Sequence, residues 1–117
     1  MEPPIIIPLK KLTADELNAF RENPFENMIK FVVDVNTMKI ALGGEMHADA
    51  EKALLDAGSN QEDLWGANLW PWEVPPRIEY ISLINIRPSQ DNRRMEIRSE
   101  EIRAKVDEAV RMWVEYA

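Results

Sequence analysis

Apolar and polar positions alternate at period two through Met28–Val35, where Ile29, Phe31, Val33 and Val35 oppose Met28, Lys30, Val32 and Asp34. This spacing predicts a β-strand with one strongly apolar face. Met38–Leu42 repeats the pattern, and Asn36–Thr37 between the two reads as a two-residue hairpin connection, without the glycine such turns favour. The longest run of β-branched, aromatic and apolar residues is Arg77–Pro88. Ile78, Tyr80, Ile84 and Ile86 share one side of it and Ile81 and Leu83 the other, so it reads as a central strand covered on both faces. Arg94–Ile97 is long enough for a short edge strand.

The period changes to that of a helix in three places. Thr13 and Glu16 form a capping box flanked by Leu12 and Leu17, which predicts a short helix to about Glu22, with Pro24 ending it and a turn through Phe25–Glu26. From His47 the spacing of Ala50, Ala53, Leu54 and Ala57 gives one helical stripe, closed by Gly58. Ser99 caps a last helix whose buried stripe is Ile102, Val106, Ala109, Val110 and Trp113. Ser59–Pro76, broken by Gly66 and three prolines, reads as a loop, and residues 1–12 as extended or loosely docked chain. These elements predict a single α+β domain over residues 1–117. Its antiparallel sheet has three to four strands in the order 2-1-3-4, with about three helices packed mainly on one face.

Composition narrows the function more than it names it. The 117 residues include no cysteine and one histidine, which excludes disulfides and thiolate chemistry and requires any Ser-His-Asp triad to use His47. A net charge of −7 makes nucleic acid an improbable partner, and no stretch has the length and apolarity of a membrane span, so the expected compartment is the cytoplasm. The charge is uneven: residues 77–98 carry five bases against three acids in an otherwise acidic chain.

Three groups of side chains offer chemistry. Glu45, His47, Asp49 and Glu51 crowd a strand-to-helix junction, where His47 and Glu51 at i, i+4 suit a shared divalent metal and Asp34 adds a further oxygen ligand. The competing reading makes the acids favourable charges at a helix N-terminus and His47 a capping or packing residue. Arg87, Asn92, Arg93, Arg94 and Arg98 offer forked donors to a small anionic ligand, or else pair with the surplus acids of the same domain. Of the tryptophans, Trp65 reads as core, while Trp70 and Trp72, bracketed by prolines, read as an exposed interface for a homodimer or another protein.

The blocks Gly43–Glu51, Gly58–Asn68 and Ser82–Arg93 together resemble a small prokaryotic family of unknown function, over about Thr13 to Trp113. The resemblance implies no activity, and the chain departs from the family at its proline-rich start, at Trp70–Pro76 and at Arg94. Two functions follow from the residues. The first is a small binding or interaction module that self-associates and needs no cofactor. The second is a metal-dependent hydrolase of a phosphate-containing substrate, with Glu45, His47, Asp49 and Asp34 as ligands, Glu51 as general base and Arg87 or Arg93 opposing anionic charge. If the three blocks serve one site, Arg87 or Arg93 lies within reach of Glu45, His47 or Asp49, in a pocket walled by Trp65.

Overall fold

A computed structural model describes residues 4–22 and 27–115 of the chain, so the turn expected at Pro24, Phe25 and Glu26 lies outside the described residues. Five strands form one sheet: β1 (Ile5–Ile6), β2 (Ile29–Asp34), β3 (Ile40–Gly43), β4 (Leu64–Trp70) and β5 (Arg77–Glu79), in the order β1-β3-β2-β4-β5 with every pair antiparallel. Three α-helices accompany it: α1 (Ala14–Leu17), α2 (His47–Asp56) and α3 (Glu100–Trp113).

The β2–β3 hairpin and the three helices fall where the periodicity puts them. Thr13 caps α1 through the expected reciprocal pair with Glu16, and Ser99 caps α3 by accepting from Ile102 N–H. The hairpin turn is longer than two residues, because the Asp34 carboxylate accepts from Asn36 and Thr37 N–H and the Asp34 N–H reaches the Lys39 carbonyl at 2.9 Å. Met38 carries the positive φ of 65° that a glycine would otherwise supply.

The central strand is a different segment from the one expected. Arg77–Pro88 contributes only the three-residue edge strand β5; beyond it Ser82 accepts from Ile84 N–H and Leu83–Asn85 turns as a single 3₁₀ turn. That turn leaves Leu83 67% and Ile86 44% exposed, so the apolar run does not bury both faces. The place beside β2 belongs to β4, from the segment read as a loop. Its alternation is intact: Trp65, Ala67 and Leu69 point into the larger core, while Leu64, Gly66 and Asn68 point the other way. The expected order survives in part, since the strand returning after α2 does lie beside the first hairpin strand. Ile5–Ile6 adds an edge on β3, and Arg94–Ile97 makes only one isolated bridge, Ile81 with Glu96.

The helices cover both faces, not mainly one. Val106, Ala109 and Val110 of α3, with Leu17 of α1, pack against Phe31, Val33, Leu42 and Trp65. On the opposite face Ala50 and Leu54 of α2 pack on Val32, Ala41 and Leu64. A sheet buried on both sides needs apolar residues at consecutive positions, which is what Phe31-Val32-Val33 and Leu64-Trp65 supply. Among the described residues no helix is long and apolar enough to cross a membrane.

Candidate functional site

The α2 face of the sheet carries the site, where His47 of α2 and Ser82 both lie against Gly66 of β4. A Cβ added to Gly66 would lie 2.7 Å from Ser82 Cβ and 3.2 Å from His47 Cδ2, so only glycine lets both residues pack onto the strand. Beside it the ladder is completed by a side chain. β5 stops opposite Asn68, and from there the Asn85 carboxamide takes over, accepting from Gly66 N–H at 2.8 Å and donating to the Gly66 carbonyl at 2.9 Å. Asn85 also donates to Met95 O at 3.0 Å. Asn92 repeats the device one layer out, donating to Asn85 O at 2.7 Å and to Glu96 O at 3.1 Å, and accepting from Arg98 N–H. Two buried asparagines thus tie residues 83–98 to one another and to β4, forming a wall beside the strand.

Between this wall, α2 and the strands lie two depressions that share Leu83 and Ile84. The first is apolar, about 290 Å³, with His47, Asn68, Lys30 and Ser82 set among Met46 and Met95. His47 Nε2 lies 2.8 Å from the Ala67 carbonyl, which fixes the neutral ring as the Nε2–H tautomer donating to that oxygen. Burial pulls the His47 pKa below its ordinary value and the Lys30 charge adds to this, while the Ala67 carbonyl and the Asn68 side chain oppose it. Asn68, 7% exposed, donates through Nδ2 to Glu79 Oε1 at 2.9 Å, while its buried Oδ1, though it favours the charged His47 ring, has no partner in hydrogen-bond geometry. A buried carbonyl-type oxygen left unpaired costs roughly 1–3 kcal/mol unless something donates to it.

The second depression is polar, about 450 Å³, lined by Glu51, Glu62, Arg87 and Gln90. The Arg87 guanidinium stacks 4.9 Å from the Trp65 ring centroid and donates to Glu62 O at 3.3 Å. Its Nη2 stands 3.7 Å from Glu51 Oε2, an ion pair too long for a hydrogen bond, and has no acceptor. Burial lowers the Arg87 pKa against the pull of Glu51 and Asp63, yet a guanidinium stays charged.

The residues singled out in the sequence are distributed as follows. Arg87 reaches the junction helix, but at Glu51 and not at Glu45, His47 or Asp49. Arg87 does not continue a strand of the sheet: β5 ends at Glu79 and the turn at Leu83–Asn85 comes between. Trp65 lies beneath Arg87 without lining either depression. Asn92 is spent on backbone groups, and Arg93 is exposed outside both. Among the described residues no three His, Cys, Asp or Glu side chains form a group that can hold a metal ion. Asp34 serves the hairpin and accepts from the Ser59 hydroxyl at 2.6 Å; burial raises its pKa, but the Ser59, Thr37 and Asn36 hydrogen bonds outweigh that and hold it below the usual value. Asp49 accepts from Met46 N–H at the start of α2, and Glu45 is exposed. Trp70 and Trp72 are half-buried under Arg77 and Arg21, at 4.5 and 4.3 Å, and Trp72 packs on the larger core. Both rings are thus partly covered within the chain and are not the fully exposed pair expected of an interface. Asn68, Lys30, Ser82 and Asn85 went unnoticed as candidates; only the recognition of β4 as a strand places Asn68 opposite Lys30.

Fold and depressions together define a small α+β domain with a two-part surface cleft. The chain belongs to the family described as "Protein of unknown function (DUF5674)", whose model matches residues 5–113. Comparison with curated proteins and with solved structures gave no match.

Proposed function

We propose that the protein is a binding module, and that its ligand enters the apolar depression with an uncharged, largely apolar group carrying one N–H or O–H donor. The observation that carries this reading is Asn68 Oδ1, buried and without a hydrogen-bond partner in a cavity whose lining is mainly methionine, isoleucine, leucine and alanine, with Lys30, His47 and Ser82 as its other polar members. A donor placed there regains the hydrogen bond, and the apolar walls supply the rest of the affinity. His47 contributes as a neutral ring held by Ala67, a wall more than a base. The carboxylates that a hydrolytic mechanism draws on are dispersed to a hairpin, a helix cap and the polar depression, which favours binding over catalysis.

Isotope-labelled protein titrated with indole, cyclohexanol and methylcyclohexane tests the reading. Indole and cyclohexanol shift the amides of His47, Asn68 and Ser82, methylcyclohexane binds more weakly, and Asn68→Leu removes the preference for the donors. Shifts scattered elsewhere, or a preference unchanged in Asn68→Leu, overturn it.

A further inference from the structure

The two depressions meet at Leu83 and Ile84, and one helix serves both: His47 lines the apolar one and Glu51, one turn later on α2, lines the polar one. Four helical residues advance about 6 Å along the axis. Alternate residues of an extended chain are separated by about 6.6 Å and point to the same side. An extended peptide laid along α2 over the Leu83 ridge therefore puts one side chain into each depression.

The polar depression says what the second side chain is. Two carboxylates, Glu51 and Glu62, surround one guanidinium, so its formal charge is negative, and the chain as a whole carries −7. An anion meets two like charges there and one arginine already facing Glu51. A basic side chain meets two acceptors, and a peptide carbonyl gives Arg87 Nη2 the acceptor it lacks. At the other end a peptide N–H is the donor that Asn68 Oδ1 lacks. The mouth of the apolar depression is rimmed by the exposed side chains of Met46, Leu83 and Met95, which suits an adaptable seat for an aliphatic residue.

We infer that the cleft binds an extended segment of another polypeptide, with an aliphatic residue in the His47–Asn68 depression and a lysine or arginine two positions along, in the Arg87–Glu51 depression. This rests on the binding role proposed for the apolar depression and names its occupant. The small anionic ligand considered for the arginines is disfavoured by the same charges.

Three acetylated, amidated peptides test it against the full chain: Gly-Leu-Ser-Lys-Gly, its acidic twin Gly-Leu-Ser-Glu-Gly, and the shifted Gly-Leu-Lys-Ser-Gly. The first is expected to shift His47 and Gln90 amides together, to displace indole, and to bind about fivefold tighter than the acidic twin, the scale of one exposed ion pair. Glu62→Gln, at an exposed position, is expected to shrink that ratio while leaving indole binding unchanged. Equal binding of all three peptides, or shifts confined to the His47 side, overturns the inference. If indole binds normally in that case, the proposed function stands; if indole also fails to bind, both fall.

Discussion

Two neighbouring stretches, Leu64–Trp70 and Arg77–Ile86, exchange the roles their sequences advertise. The first contains a glycine, an asparagine and a terminal turn, yet every residue from Leu64 to Leu69 is buried and the strand pairs on both sides. The second contains five isoleucines and leucines with β-branched regularity, yet it gives three residues of edge strand and a tight turn. What separates them is the fate of the backbone groups, not hydrophobicity. Gly66 exposes its N–H and C=O to one side where no strand continues, and the Asn85 carboxamide, which carries both a donor and an acceptor, satisfies them more compactly than a strand would. Bringing that side chain to Gly66 requires the turn at Ser82–Asn85, and the turn ends the strand.

The comparison is broken most severely at Asn85. Asn85→Ala leaves the Gly66 N–H and C=O and the Met95 carbonyl without their partner, and should lower unfolding free energy by about 3–5 kcal/mol in urea titrations. Gly66→Ala presses a methyl against Ser82 and His47 and should cost about 1–3 kcal/mol, with the loss confined to the wall side of β4 in amide shift maps.

A subtler break uses pH. His47 has a folded pKa below its ordinary value near 6.5, so below that value the unfolded chain binds a proton that the folded chain refuses. Its contribution is therefore complete above about pH 6.5 and falls with pH until the folded pKa is reached, where it levels off. His47→Gln should flatten this slope in denaturation curves taken between about pH 7.5 and pH 5. The smallest effect is expected at Leu83, which a true central strand would bury. Leu83→Ser should change stability by less than about 0.5 kcal/mol, since the side chain is mostly solvated.

Much of the fold was legible. The capping box at Thr13, the positive φ of 106° at Gly58 and the Val106–Val110 stripe of α3 are local signals, each decided by residues within a turn or two of one another. The hairpin was legible for the same reason, whereas the strand expected beside it was Arg77–Pro88 and the one found there is β4. The five-stranded order and the two-sided covering were not, because both depend on β4, whose small residues Gly66, Ala67 and Asn68 record what packs on them instead of what they bury. For the site, the sequence brought Arg87 toward the α2 junction and gave His47 its place on the helix. It read Asn92 as a ligand contact where the side chain bonds backbone groups, and passed over Asn68 and Asn85, because an asparagine that pins backbone and one that awaits a ligand look alike until their partners are known.

Amide hydrogen exchange at Gly66 tests the central claim most directly, since this one proton distinguishes a ladder closed by a side chain from one closed by a strand. In the wild-type chain the Gly66 amide should exchange as slowly as its β4 neighbours. In Asn85→Ala, under conditions where the Ala67 and Leu69 amides remain protected, Gly66 should exchange faster by about two orders of magnitude, the equivalent of one lost buried hydrogen bond. Unchanged protection at Gly66 in that variant would mean that a backbone carbonyl closes the ladder there, and would contradict the account.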